Sequence, residues 1–362
     1  MFNPERLSVA RRRRGRTKRE LAATLGVNEN TIRRYEGGET VPSPEVLAKL
    51  ARLLDFPETF FFAERMDEPS ETAASFRSMS DLPAGDREAA LAAGALAFSL
   101  DDWVRKRFEL PATDLIDLRG EEPETAARSL RQAWGVGERP IRNMVHLLEA
   151  KGVRVFSLAE NTRTVDAFSV WRRKAPYVFL NTLKTAEHNR MDTAHELAHL
   201  VLHKHGGPDG RQAEYEAQHF ASSFLMPRAD VLAVLPRVHG LEEIIRHKKR
   251  WGVSVAALNF RLHKLGITTA WQYRDLCIQI SQRGLRQKEP EGTELTREMS
   301  AVWPKVLDAL RREGVGLHAI ADTVCLPVSE LEKLLFMLAP MLGLSGGSLS
   351  PPKRSKASLK VV

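Results

Sequence analysis

The stretch TAHELAHLVLH occupies residues 193–203. Its centre, His195-Glu196-Leu197-Ala198-His199, is an HExxH motif among the apolar residues Leu197, Leu200, Val201 and Leu202, a pattern that reads as a helix. On a helix, positions i and i+4 share a face about one turn apart, so the two imidazoles can converge on one cation. Zinc accepts neutral histidine nitrogens in tetrahedral geometry, and a catalytic site keeps one position for water. Glu196 cannot ligate from its place between the histidines, but it can reach that water and take its proton. The helix is apolar enough to be buried, where unpaired His and Glu are costly unless something binds them.

Outward from the motif, a third ligand is needed. EYEAQHFASSFLMP, residues 214–227, reads as the next helix after a Gly/Pro loop and is stopped by Pro227. Glu214 is the best candidate, and the chain between it and His199 leaves room for a turn and an antiparallel return. Glu216 is the competitor, two residues on and facing away from Glu214 on an ideal helix. His203, two turns from His195, reads either as bordering the cleft or simply as a helix-end histidine. Before the motif, the β-branched and aromatic runs 153–158, 167–171 and 177–180 read as strands. Tyr177–Asn181 directly precedes the metal-binding helix and is expected to be an exposed sheet edge on which an extended substrate pairs.

TAHELAHLVLH followed by E-x-E-A-x-x-F-A-x-x-F-L-M-P resembles the ImmA/IrrE family of metallopeptidases, and WGVSVAALNFRLHKLGI (251–267) resembles the segment that closes that domain. The resemblance covers about residues 130–285. It implies an α+β zincin-like fold of gluzincin type, with Zn2+ held by His195, His199 and Glu214 and with Glu196 as the catalytic base. Four residues after the ligand Glu the family usually has Asn or Asp, which orients a ligand histidine; here that position is Gln218. The family implies a zinc endopeptidase that cleaves a repressor-type protein, and with it a place in transcription regulation and stress response.

Residues 17–36, TKRELAATLGVNENTIRRYE, follow helix-turn-helix logic. Thr17 and Glu20 form a capping box, Gly26 supplies the turn, Asn28 caps the second helix, and Ile32 anchors it. That helix would present Glu29, Asn30, Thr31, Arg33 and Arg34 to bases, while Thr17, Lys18 and the run Arg11–Arg14 would meet phosphates. Glu36 suits a structural partner for an Arg of the first helix. Residues 5–62, with YEGGETVPSP after the third helix, resemble the XRE (Cro/repressor-like) family, which implies a double-stranded DNA operator bound by a homodimer.

Composition frames these units. The chain has 362 residues, 43% hydrophobic and 28% charged, and a net charge of +8. The charge is local: residues 1–36 hold ten Lys/Arg against four acids, and the last twelve residues hold four Lys/Arg and no acid. A basic patch of this kind draws phosphate backbones. Two cysteines are too few for a disulfide framework or a cysteine zinc site. No apolar stretch is long enough to span a bilayer, and the first residues lack a signal-peptide core, so a cytoplasmic protein without membrane contact is expected. The reading is multidomain: an all-α helix-turn-helix domain (1–65), a helical linker (66–122), the α+β domain (123–285), a helical module (286–344) and a disordered basic tail (345–362). Residues 305–338 have a helix-turn-helix cadence that suits a second such unit or a docking or dimerisation module. Two other functions fit the same residues: a repressor whose zinc domain senses metal or ligand without proteolysis, and an antitoxin-like binding protein. An intact Glu196 favours the enzyme, because a binding module has no use for it.

Overall fold

The computed structural model describes residues 1–70, 83–158, 167–204, 210–286, 288–290, 292, 295–336 and 357–358. The N-terminal unit is helical: α1 (Pro4–Arg13), α2 (Lys18–Leu25), α3 (Glu29–Glu36) and α4 (Pro44–Leu54), closed by a 3-10 turn at Glu58–Phe62. Each α-helix starts on a side-chain cap, from Asn3, Thr17, Asn28 and Ser43 in turn. Thr17 and Glu20 make the full capping box, and Gly26 ends α2 in the left-handed region at φ +72°. Leu7, Leu21, Ile32, Leu50, Leu54 and Phe60 are wholly buried between these helices.

The arginine run of α1 is turned inward, which corrects the expectation that it meets phosphates. Arg11 Nε donates to Glu36 Oε1 at 2.6 Å, so Glu36 is the structural partner foreseen for it. Arg12 pairs with Glu68 at 2.7 Å and Arg13 with Glu330 at 2.7 Å. Arg14 bonds the carbonyls of Leu54 and Asp55 and also reaches Glu330. Four guanidinium groups in one run would repel one another, and each is met by acceptors, with Glu330 shared between Arg13 and Arg14.

The stretch read as a linker contains α5 (Ala84–Arg105), 22 residues long and buried on nearly every side. A helix that is apolar all round belongs in a core. It packs against α1, and Asp101 near its end accepts a 2.6 Å hydrogen bond from Tyr177 Oη.

A mixed α/β unit follows. Its elements are β1 (Phe108–Glu109), α6 (Pro123–Ala133), α7 (Met144–Ala150), β2 (Arg154–Ser157), β3 (Ala167–Arg172), β4 (Ala175–Leu180), α8 (Ala186–Leu202), α9 (Gly210–Leu225), α10 (Arg228–Val234), α11 (Leu241–His247), α12 (Val255–Lys264) and α13 (Ala270–Gln282). The sheet runs β2-β4-β3, with β2 parallel and β3 antiparallel to β4. The run 177–180 is therefore the central strand, paired on both sides, and not the expected edge. Its near-continuous apolar lettering is what a strand buried on both faces shows. Arg173 and Lys174 join β3 to β4 with positive φ at both positions, as a two-residue hairpin turn demands.

Three more helices follow among the described residues: α14 (Val302–Arg312), α15 (Leu317–Val324) and α16 (Val328–Leu334). Glu149 of α7 caps α14, accepting from the backbone N–H of Ala301 at 2.7 Å and of Val302 at 3.2 Å. Trp303 packs on Phe156 and donates Nε1–H to the Val155 carbonyl at 2.9 Å. The link from α15 to α16 repeats the link from α2 to α3. Cys325 is left-handed at φ +55° where Gly26 stands, and Leu326 N bonds Ala321 O at 2.9 Å as Val27 N bonds Ala22 O at 3.0 Å. Five residues after each turn the two differ: Thr31 is half-buried on α3, whereas Glu330 on α16 is wholly buried against α1. Of the tail expected to be disordered, only Ala357–Ser358 (β5) are described, and they pair in parallel with β1.

Candidate metal centre

Helix α8 begins on Thr185 as N-cap and lies between the sheet and α9. Two bonds from β3 pin it: Ser169 Oγ to the Glu196 carbonyl at 3.3 Å and Trp171 Nε1 to the Leu200 carbonyl at 3.2 Å. Leu197, Ala198 and Leu200 fill the core. The remaining face turns His195 and His199 toward α9, with ring centroids 4.9 Å apart.

Glu214, one turn into α9, meets them. His195 Nε2 lies 3.1 Å from Glu214 Oε2, His199 Nε2 lies 3.4 Å from Glu214 Oε1, and the two ring nitrogens are 3.1 Å apart. With zinc–ligand bonds of ~2.0–2.1 Å, the edge of a coordination tetrahedron is about 3.3 Å. The triangle thus has the dimensions that a tetrahedral cation would require of three ligands. Glu214 Oε1 is buried without a hydrogen-bond donor among the described residues, a costly state for a carboxylate unless a cation compensates it.

The electrostatics agree. Burial pushes His199 down to about 4, so its ring is neutral at neutral pH and can offer a lone pair. Burial also opposes charge on His195, but Glu214, Glu196 and Asp192 together hold it above its ordinary value. The carboxylates that favour a proton there favour a cation equally. Burial would raise Glu214, yet hydrogen bonds and charge from His195 and His199 bring it down to about 2. Glu196, between the two histidines in sequence, is buried, and its charge is one of those that favour the proton on His195.

Gln218, the residue expected to orient a ligand histidine, lies one turn after Glu214 on α9. It is half-buried, and the side-chain bonds described for His195 and His199 go to Glu214, His203 and each other. His203 Nδ1 lies 2.9 Å from His199 Nδ1. The signal was present in the lettering: His195, His199 and His203 stand at i, i+4 and i+8 on one stripe of α8.

On the N-terminal unit, Glu29, Asn30, Arg33 and Arg34 of α3 are exposed and Thr31 is half-buried, so the side expected to read bases is open. Thr17 spends its hydroxyl on the cap of α2, and Lys18 lies 3.4 Å from Glu36.

A family model described as an IrrE N-terminal-like domain, of a peptidase family, matches residues 148–263, and one described as a helix-turn-helix domain matches residues 5–59. The chain joins a helix-turn-helix domain to an IrrE N-terminal-like domain. No curated protein matches it. The IrrE-like match contains the whole His195–His199–Glu214 cluster and all three strands of its sheet. The helix-turn-helix match runs from the second residue of α1 through α4. No helix among the described residues is long and apolar enough to cross a membrane.

Proposed function

We propose that this chain is a DNA-binding transcriptional regulator whose IrrE-like domain, a zincin-type fold, is a zinc endopeptidase acting on a repressor-type protein. The observation that carries this is the triangle of His195, His199 and Glu214, with the spacing of tetrahedral ligands and a buried Glu196 beside it. Zinc bound there would polarise a scissile carbonyl and acidify the attacking water. Glu196 would accept the water proton on its carboxylate and pass it to the departing amine. His195 and His199 turn their Nε2 atoms toward Glu214 and would offer the metal their lone pairs there.

The substrate would lie extended along β3, which among the described residues pairs only with β4 and which carries the bonds that pin α8. This replaces the 177–180 strand, whose two sides are both taken. If the chain cleaves itself, the polar stretch 66–80 after the helix-turn-helix domain is the segment it would cut, and residues 71–80 of it lie outside the described residues. Residues 66–70 are held, with Asp67 paired to Arg172 and Arg173 and Glu68 to Arg12.

The helix-turn-helix domain would bind a palindromic operator in the cytoplasm as a homodimer, with half-sites about one helical turn or a multiple apart. The deciding experiment incubates zinc-loaded protein, alone and with a repressor-type protein, and reads intact masses, with Glu196→Gln as control. Cleavage that the variant loses establishes the peptidase. No cleavage, with gene regulation unchanged in the variant, would leave a metal- or ligand-sensing repressor instead.

A further inference from the structure

The His203 side chain is buried, 8% exposed against 16% for His195 and 6% for His199. Its Nδ1 faces His199 Nδ1 at 2.9 Å, and its Nε2 faces Glu216 Oε2 at 3.1 Å. Glu216 Oε1 accepts from Gln212 Nε2 at 2.8 Å. Glu216 thus reaches the end of α8 from α9, although two-residue spacing aims it away from Glu214. The protons along this chain can be assigned one way once His199 Nε2 must offer a lone pair. A neutral imidazole then carries its proton on Nδ1. That proton is donated to His203 Nδ1, which leaves the His203 proton on Nε2, donated to Glu216. Gln212 donates to the other carboxylate oxygen, and every donor meets an acceptor.

We propose that His203 and Glu216 are a positioning pair for His199, fixing its tautomer and ring orientation so that Nε2 faces the metal. This rests on the zinc reading above. Metal-ligating histidines commonly donate their other N–H to a partner that sets the tautomer and raises basicity. Here the partner is a second histidine backed by a carboxylate, built from one turn of α8 and one of α9. Glu216 is thereby excluded as the third ligand, because its oxygens are spent on His203 and Gln212. The competing view, a helix-end histidine paired with a surface acid, assigns the pair no influence on metal affinity.

The test uses the full chain and its variants His203→Leu, His203→Asn and Glu216→Ala. Zinc affinity is read by competition with a chromophoric chelator, and the ligand field by the absorption of the cobalt(II) form. His203→Leu and Glu216→Ala should weaken zinc by ~10–100-fold and alter the cobalt spectrum. His203→Asn, whose amide oxygen can accept from His199 Nδ1, should recover most of the affinity. Metal-free unfolding should move equally in the Leu and Asn variants. Wild-type affinity in His203→Leu and Glu216→Ala, or equal weakening in Leu and Asn, would overturn the pairing. Failure of the zinc reading looks different: the wild type would bind no zinc, or His195→Ala would bind it as well as the wild type, and the positioning role would fall with it.

Discussion

Arg13 Nε donates to Glu330 Oε2 at 2.7 Å across 317 positions of sequence, and the two side chains are 2% and 0% exposed. Arg14 closes on the other oxygen. Burial by itself would raise the Glu330 carboxyl, but the charges of Arg13, Arg14 and Lys333 outweigh it and hold the group down to about 2. The first helix of the DNA-binding domain is therefore held by the last helix of the described chain.

Removing one partner of a buried ion pair leaves the other uncompensated, so Glu330→Ala should cost about 3–5 kcal/mol of stability. The pH dependence follows from the depressed value. The contribution is complete above the ordinary carboxylate value of 4.5 and is lost as pH falls toward about 2. In denaturant unfolding, the gap between wild type and Glu330→Gln should be flat from neutral pH down to pH ~5 and close below that. A gap that persists unchanged in acid would mean that packing, not charge, joins α1 to α16.

Purified protein should bind about one zinc per chain, as a two-His, one-carboxylate site does. Glu214→Gln should weaken this more than any other carboxylate replacement in the domain, and Gln218→Ala should leave it unchanged. Titration against a chelator measures both. Loss of zinc in Gln218→Ala would give that residue the orienting role.

Glu196→Gln keeps all three ligands and loses the base. It should hold zinc with wild-type affinity while hydrolysis falls by ~10²–10⁴-fold. A variant that loses the metal as well would place Glu196 in the ligand set.

Arg34→Ala or Asn30→Ala should relax base preference at one operator position by about 1–3 kcal/mol. Lys18→Ala should weaken all sequences alike and lower the salt slope by about 1. Arg13→Ala should leave that slope untouched, because its guanidinium is buried on Glu330. A reduced slope in Arg13→Ala would return the arginine run to the phosphates.

The parts legible in the lettering were those whose chemistry is local. The capping box at Thr17 and Glu20, the turn at Gly26 and the i, i+4 pair His195 and His199 each depend on residues within about one helical turn. Glu214 was within reach because α9 follows α8 after one loop. What escaped depends on partners far along the chain. Arg13 and Arg14 read as phosphate contacts until Glu330, over 300 positions away, is placed beside them. Tyr177–Leu180 read as an edge because adjacency to α8 does not reveal that β2 takes its other side. The polar residues before α5 suggested a linker, and residues 86–108 read as one amphipathic helix, yet its Ala-rich middle, residues 89–98, is buried all round and belongs to the core. His203 fell between these cases: its spacing was visible, but the role of Glu216 depends on how α9 crosses the end of α8.

The packing of α5 against α1 has a consequence for any cut made between residues 70 and 83. Breaking one peptide bond there would leave two fragments still joined by the α1–α5 contact and by the grip of Glu330 on Arg13 and Arg14. The products would behave as a complementing pair, co-eluting as one species from a sizing column and parting only in detergent or denaturant. Proteolysis at that point would be silent toward the operator until something else pulled the halves apart, so scission and release would be separate events.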